Sequence, residues 1–175
     1  MARRRTLIVR ALSAGATRGT VELGPLRFRC ALGRSGRRVR KREGDGATPV
    51  GRFLMQRVLY RPDRCQRPRT GLKTHVLRPT DGWCDCPRDR NYNRPVRLPY
   101  PASAEAMWRA DELYDLVVVL SHNCRPRVKG LGSAIFLHVA APGLAPTQGC
   151  IALRRADLMR LLAQLSRGSS VWIRG

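Results

Sequence analysis

The feature that most constrains the fold of this chain is a series of short apolar segments separated by turn residues. The segments are rich in β-branched residues or alternate between apolar and polar positions, as strands of a half-buried sheet do. Because they do not alternate regularly with helical segments, they favour a β-sandwich or a partly closed sheet. The predicted strands are residues 6–10, 19–22, 26–32, 51–60, 72–77, 116–120, 134–139 and 170–173.

Two segments are predicted to be helical. Residues 157–165 have leucines at helical spacing, which makes one face apolar. We expect this helix to begin between Arg154 and Asp157 and to end before Gly168. Ser103 is expected to cap a short helical turn that runs to Trp108. The predicted fold class is therefore mainly β, with one or two peripheral helices.

The length and charge of the chain limit its organisation and its partners. With 175 residues and no evident repeat, residues 1–175 are predicted to form a single domain. The chain has 34 basic and 12 acidic residues, which gives a formal net charge of +22. The basic residues are spread along the chain without a helical basic face or an RNA-binding signature. Specific nucleic-acid binding is therefore not expected, and an anionic polymer or surface is the favoured kind of partner.

The N-terminal segment is not typical of an export signal. It begins with basic residues, but Arg10 interrupts the apolar run that a secretory signal needs. No stretch approaches the ~20 apolar residues that span a bilayer. Neither a signal peptide nor a transmembrane segment is predicted.

The six cysteines do not have the spacing of a known metal site. Cys30 lies in an apolar strand and is predicted to belong to the core. Cys65, Cys84, Cys86 and Cys124 lie in loop-like sequence and are candidates for one or two disulfides in an oxidising compartment. No metal and no cofactor are predicted.

A thiol and an imidazole are combined in residues 135–153, with the sequence IFLHVAAPGLAPTQGCIAL. His138 ends an apolar strand, and Cys150 ends a loop that contains proline and glycine. If the loop closes back, His138 can act as general acid and base for a Cys150 nucleophile, and the N–H groups of Gly149 and Cys150 can form an oxyanion hole. The residues alone leave open a structural alternative, a buried cysteine and a hydrogen-bonded core histidine.

This segment resembles the catalytic signature of the YkuD-like L,D-transpeptidases, in which a histidine at a strand end is followed by Ser/Thr-x-Gly-Cys. Two upstream segments also resemble that family, GDGATPVGRF at residues 44–53 and GSAIFLH at residues 132–138. The resemblance extends from about Thr6 to Ile173. The chain has Gln148 where the family commonly has histidine, and Ala152 where it has arginine, which indicates a divergent member with altered substrate anchoring.

The resemblance implies a YkuD-like β-sandwich of mixed sheets and a peptidoglycan L,D-transpeptidase activity. Cys150 would form a thioester with a donor tetrapeptide stem, and an amine of an acceptor stem would resolve it, with His138 moving the protons. It also implies inhibition by carbapenems and a location in the periplasm or cell envelope. The chain is predicted to act as a monomer.

Residues that bind the substrate are predicted in two places. One place is around the cysteine, and the other is the polar segment 82–96, which is alternatively an ordered surface loop. The predicted substrate-binding residues are Thr147, Gln148, Arg154, Trp83, Tyr92 and Asn93. Two other functions stay open, an L,D-carboxypeptidase or other peptidoglycan hydrolase on the same scaffold, and a non-catalytic basic protein that binds an anionic polymer.

Overall fold

The computed structural model describes residues 4–175, so residues 1–3 of the predicted domain lie outside the described range. Within it, the chain forms fourteen β-strands, a 3-10 helix at Pro142–Leu144 and one α-helix, α1, at Arg155–Leu162. No helix in this range is long and apolar enough to cross a bilayer. The strands are β1 Thr6–Arg10, β2 Arg18–Leu23, β3 Leu26–Ala31, β4 Arg37–Arg38, β5 Thr48–Pro49, β6 Gly51–Tyr60, β7 Thr74–Val76, β8 Asp81–Cys84, β9 Arg94–Arg97, β10 Ala104–Ala106, β11 Leu116–Leu120, β12 Phe136–Val139, β13 Ile151–Leu153 and β14 Ser170–Ile173.

Each of the eight predicted strands coincides with an observed one, and the mainly-β fold class is confirmed. The helix begins at Arg155, inside the predicted window, but ends at Leu162 rather than at Leu165. The α-helix ends there because the next backbone hydrogen bonds join residues three apart instead of four. Gln164 N–H donates to the Leu161 carbonyl, and Leu165 N–H donates to the Leu162 carbonyl.

The short helical turn predicted after Ser103 is wrong. Ala104–Ala106 forms β10, which pairs antiparallel with β8 so that Glu105 lies opposite Trp83. The backbone hydrogen bonds of this pairing outweigh the local capping preference of Ser103.

The main sheet has nine strands in the order β11-β12-β13-β3-β2-β1-β14-β6-β7. It is mixed, since β1–β14, β12–β13 and β6–β7 are parallel pairs and the other pairs are antiparallel. The long strand β6 pairs with β14 through its first half and with β11 through its second half. Because β11 at one edge of the sheet pairs with β6 near the other edge, the sheet closes on itself.

Strand β12 is buried on both faces, and its alternation separates two apolar layers. Leu137 and Val139 face the main core, which also contains the apolar face of α1. Phe136 and His138 point to the opposite side. A small sheet of order β10-β8-β9 covers that side, and the Trp83 ring of β8 meets the Phe136 ring edge-on at 5.2 Å.

All six cysteines lie in the described range and are free, so the candidate disulfides among the loop cysteines are not formed in this structure. The thiols have separate partners instead. Cys65 Sγ donates to the Arg61 carbonyl at 3.3 Å, and Cys124 Sγ donates to the His122 carbonyl at 3.3 Å. Cys30 is fully buried in the main core, as predicted.

Candidate active site

Two neighbouring parallel strands bring Cys150 and His138 to the same face of the main sheet. His138 lies in β12 opposite Ala152 of β13, and Cys150 directly precedes β13, next to Phe136. With strands ~4.8 Å apart and a rise of ~3.3 Å per residue, the Cα atoms of Cys150 and His138 are about 8 Å apart on a diagonal. Side chains that reach towards each other can span this distance.

The loop before Cys150 depends on a glycine and a threonine. Gly149 has a φ of 136°, and a Cβ on it would lie 2.8 Å from the Ala47 carbonyl oxygen, so a larger residue does not fit. The Thr147 hydroxyl donates to the Cys150 carbonyl at 2.7 Å and accepts the Gly149 N–H at 3.1 Å. The Gly149 N–H, predicted to belong to an oxyanion hole, is therefore occupied by Thr147.

The Cys150 thiol is buried and neutral. Its Sγ donates to the Ala134 carbonyl at 3.2 Å and accepts the Phe136 N–H at 3.4 Å. Burial raises the pKa of Cys150 to about 12, and the charge of Glu105 adds to this effect. Among the hydrogen bonds of residues 4–175, the thiol proton is directed to Ala134 and not to His138.

The imidazole of His138 is oriented by its own strand. Its Nδ1 lies 2.8 Å from the Val139 carbonyl oxygen. Because a carbonyl can only accept, Nδ1 carries the hydrogen, and Nε2 of the neutral ring is left as the proton acceptor. Burial lowers the pKa of His138 to about 4, and the Tyr114 ring meets it edge-on at 5.3 Å. The site therefore pairs a neutral thiol with a neutral imidazole, which is suited to proton transfer during attack.

Both side chains open onto one cleft of about 500 Å³. The predicted residues Thr147 and Gln148 lie on its wall, and Asp85 is the member of the segment 82–96 that reaches it. Other polar side chains on the wall are Glu43, Glu105, Arg109, Tyr114 and Ser133. No group of three His, Cys, Asp or Glu side chains in residues 4–175 is arranged to hold a metal ion.

Trp83, Tyr92 and Asn93, predicted to line the cleft, are not on its wall. Each is 3% exposed. Trp83 Nε1 donates to Asn93 Oδ1 at 3.0 Å, and the Asn93 amide donates to two backbone carbonyls of the loop after β11. The Tyr92 hydroxyl donates to Glu43. Their polar groups therefore form hydrogen bonds within the protein and do not face the cleft, because the segment folds into the small sheet instead of remaining an open loop.

Arg154 also lies outside the Cys150 cleft. Its side chain is exposed just before α1 and lines a second groove of about 840 Å³. Arg18, Arg29 and Arg155 line the same groove. Leu113 and Ala141 line both this groove and the cleft.

Some of the wall residues that were not predicted could have been inferred from the sequence, and others could not. Ser133 lies inside the GSAIFLH motif, and Glu43 directly precedes the GDGATP motif, so both could have been inferred from their neighbours. Glu105 and Tyr114 belong to no motif. The Tyr114 hydroxyl donates to Glu105 at 2.7 Å, and only the pairing of β10 with β8 brings Glu105 to the cleft.

Comparisons with solved structures find L,D-transpeptidases of Mycobacterium tuberculosis. L,D-transpeptidase 3 is similar with 14% identity and a TM-score of 0.45, over 98% of this chain and 61% of that chain. L,D-transpeptidase 1 is similar with 14% identity and a TM-score of 0.41, over 98% of this chain and 63% of that chain. A further match is L,D-transpeptidase 3 in complex with a faropenem-derived adduct, with 14% identity and a TM-score of 0.45, over 98% of this chain and 60% of that chain. This chain thus spans less than two thirds of the length of these proteins.

No curated protein has significant similarity to the chain. The family model of YkuD, the L,D-transpeptidase catalytic domain, matches residues 16–173. This match includes the three motifs, the nucleophile candidate and the base candidate. The chain therefore belongs to the YkuD family of L,D-transpeptidase catalytic domains.

Proposed function

We propose that this chain is a peptidoglycan L,D-transpeptidase with Cys150 as nucleophile and His138 as general acid and base. The observation that carries the proposal is the position of the two side chains on one face of neighbouring strands, where both open onto the same cleft. Membership of the YkuD family supports acyl transfer as the reaction class. The formal net charge of +22 is suited to an anionic cell-wall polymer. Membership of the YkuD family supports a location in the periplasm or cell envelope.

In the first step, Cys150 Sγ attacks the carbonyl at the L-centre of diaminopimelate in a donor tetrapeptide. The thiol proton passes to His138 Nε2 as the C–S bond forms. The imidazolium then protonates the leaving nitrogen, the C–N bond breaks, D-alanine departs and a thioester remains. Because the pKa of the free thiol is about 12 and that of the imidazole about 4, proton transfer accompanies attack instead of preceding it.

In the second step, an amine of an acceptor stem attacks the thioester carbon. His138 Nε2 accepts the amine proton and returns it to the sulfur as the C–S bond breaks, which leaves an amide cross-link and the original thiol. With the Gly149 N–H held by Thr147, the Cys150 N–H is the proposed donor to the oxyanion. Gln148, exposed on the cleft wall, is proposed to contact the stem.

The test is incubation of the purified protein with disaccharide-tetrapeptides, followed by chromatography and mass spectrometry of the products. We expect cross-linked dimers and released D-alanine, and no product from Cys150→Ala. Cys30→Ala is the matched control because it removes a buried thiol outside the cleft, and it should still form dimers. Tripeptides without dimers would identify a hydrolase.

A carbapenem provides a second readout of the nucleophile. Its strained lactam carbonyl should acylate Cys150 and add the mass of the drug to the wild-type protein but not to Cys150→Ala. If neither dimers, tripeptides nor this adduct form, the chain is not a cysteine acyltransferase, and binding to an anionic polymer becomes the better account.

A further inference from the structure

The cleft beside Cys150 has the opposite charge to the rest of the chain. The chain has 34 basic and 12 acidic residues, yet Glu43, Asp85 and Glu105 line this cleft with one guanidinium, that of Arg109. Arg109 donates hydrogen bonds of 2.9 and 2.7 Å to Asp111 and lies 3.9 Å from Glu105. The wall is therefore rich in carboxylates whose charge is incompletely balanced.

These carboxylates are close enough to influence one another and the thiol. Burial raises the pKa of Glu105. The hydrogen bond from Tyr114 and the charge of Arg109 partly offset this effect, and smaller repulsions from Asp85 and Glu43 add to it. The charge of Glu105 in turn adds to the effect of burial on Cys150. Negative charge in the cleft thus opposes formation of the thiolate.

Two buried polar atoms on the same wall lack hydrogen-bond partners. Asp85 Oδ1 and Ser133 Oγ make no hydrogen bond of good geometry among the described residues, although the Ser133 hydroxyl interacts with that of Tyr92, and Ser133 is only 7% exposed. Unpaired buried acceptors are costly, and in native proteins they are uncommon enough to require an explanation. A ligand that donates several hydrogen bonds and carries a positive charge would satisfy both the orphaned atoms and the repelling carboxylates.

We propose that Glu43, Asp85, Glu105 and Ser133 form a subsite for the side-chain ammonium group of the donor stem. An ammonium has three donors and no acceptor, so it matches this set of acceptors, and the carboxylate on the same carbon of diaminopimelate must point away from them. Its charge offsets that of Glu105, so binding of the donor favours ionisation of Cys150. The identity of the donor as a peptide stem rests on the proposed function, whereas the binding of a primary ammonium does not.

The first test compares a diaminopimelate stem with the same stem acetylated on its side-chain amine. D-alanine release is measured with hydroxylamine present to take the acyl group from either donor. We expect kcat/KM to be at least about tenfold higher for the free amine in the wild type, from the loss of a charge-assisted hydrogen bond. The Asp85→Asn, Glu105→Gln double variant should lose this preference. Equal kcat/KM for the two donors in the wild type would overturn the subsite.

Glu22→Gln is the matched control because Glu22 pairs with Arg10 and Arg27 on β2, outside the cleft. It removes one negative charge from the protein and should keep the preference for the free amine. If it lost the preference as the double variant does, the effect would come from overall charge and the assignment would be wrong.

The second test does not depend on turnover. The rate of Cys150 alkylation by iodoacetamide is followed by peptide mass spectrometry at pH 8 with n-butylammonium or with n-butanol as the neutral control. We expect the ammonium alone to accelerate alkylation of the wild type, and Glu105→Gln to react faster without it and to respond little. No acceleration of the wild type would overturn the inference. Acceleration together with no turnover of either stem would leave the subsite standing and defeat the proposed function.

Discussion

The Cys150 thiol donates to the Ala134 carbonyl oxygen at 3.2 Å, and Ala134 presents that carbonyl from a backbone with a φ of 52°. This conformation is costly for a residue with a side chain. The Ala134 N–H donates to Asn93 Oδ1 at 3.1 Å, which helps to hold it. Asn93, predicted to contact the substrate, is therefore a positioning residue for the thiol.

Asn93→Ala should lower both stability and the acylation rate. The substitution leaves the Trp83 indole N–H, the Ala134 N–H and two loop carbonyls without their partner, which we expect to cost about 2–4 kcal/mol of unfolding free energy. Urea denaturation measures the stability. In the folded enzyme, kcat for D-alanine release should fall with KM little changed, since Asn93 does not reach the cleft.

The control for this prediction is Asn91→Ala. Asn91 Nδ2 donates to the Tyr100 hydroxyl at 2.8 Å, away from the cleft. It should leave kcat unchanged. A similar fall in kcat for both variants would contradict a specific role of Asn93.

Most of the fold follows from local patterns, and this explains which parts were predicted. The alternation in β1 and β14 indicates their bounds because each of these strands has one buried face, and β11 is indicated instead by a continuous apolar run that is buried throughout. The closing of the sheet by β6 was not predictable in the same way, since pairing with both β14 and β11 depends on contacts between distant segments.

The site residues that could be predicted are likewise those that belong to a local motif. Cys150 and His138 belong to one continuous motif, so the sequence alone could nominate them. Glu105 and Tyr114 reach the cleft through tertiary pairing and have no signal in the sequence. Trp83 was misassigned because polar and aromatic residues in a loop-like segment have the composition of a cleft wall, whether they line one or are buried beneath it.

His138 should make the protein less stable as the pH falls. Its pKa is about 4 in the folded protein and ordinarily 6.5, so between these values the unfolded chain binds a proton that the folded protein does not. This contribution is fully present above pH 6.5 and is lost as the pH falls towards 4, by about 3 kcal/mol. Urea denaturation at a series of pH values, for the wild type and His138→Gln, measures it.

We expect His138→Gln to have a flatter dependence of unfolding free energy on pH in this window. His75→Gln is the control, because His75 is exposed on β7 and should leave most of the slope in place. Parallel curves for the wild type and His138→Gln would show that His138 is not buried as a neutral ring.

Two buried thiols, Cys150 and Cys30, should respond oppositely to mutation. Cys150→Ala should abolish carbapenem acylation without unfolding the protein, because alanine fits the site but forms no thioester. Cys30→Ala should keep acylation and lower the unfolding free energy by about 1 kcal/mol, since it leaves a small cavity in the main core. Intact-mass spectrometry and thermal unfolding separate the two effects. Carbapenem acylation of Cys150→Ala would refute the assignment of the nucleophile.

Asp115 should be the most important carboxylate for the stability of the helix start. Asp115 is 1% exposed. One of its carboxylate oxygens pairs with Arg155, the first residue of α1, and the other pairs with Arg64 at 3.2 Å. Asp115→Asn leaves two guanidinium groups without their buried partner, which we expect to cost about 3 kcal/mol.

Glu112→Gln tests whether this cost depends on burial. Glu112 also pairs with Arg155, at 3.4 Å, but its side chain is 75% exposed, so its loss should cost less than about 1 kcal/mol and should diminish further at high salt. Urea denaturation at low and high ionic strength compares the two variants. If they lost equal stability, the burial of Asp115 would not be what makes its ion pairs important, because both carboxylates contact the same guanidinium and differ chiefly in their exposure to water.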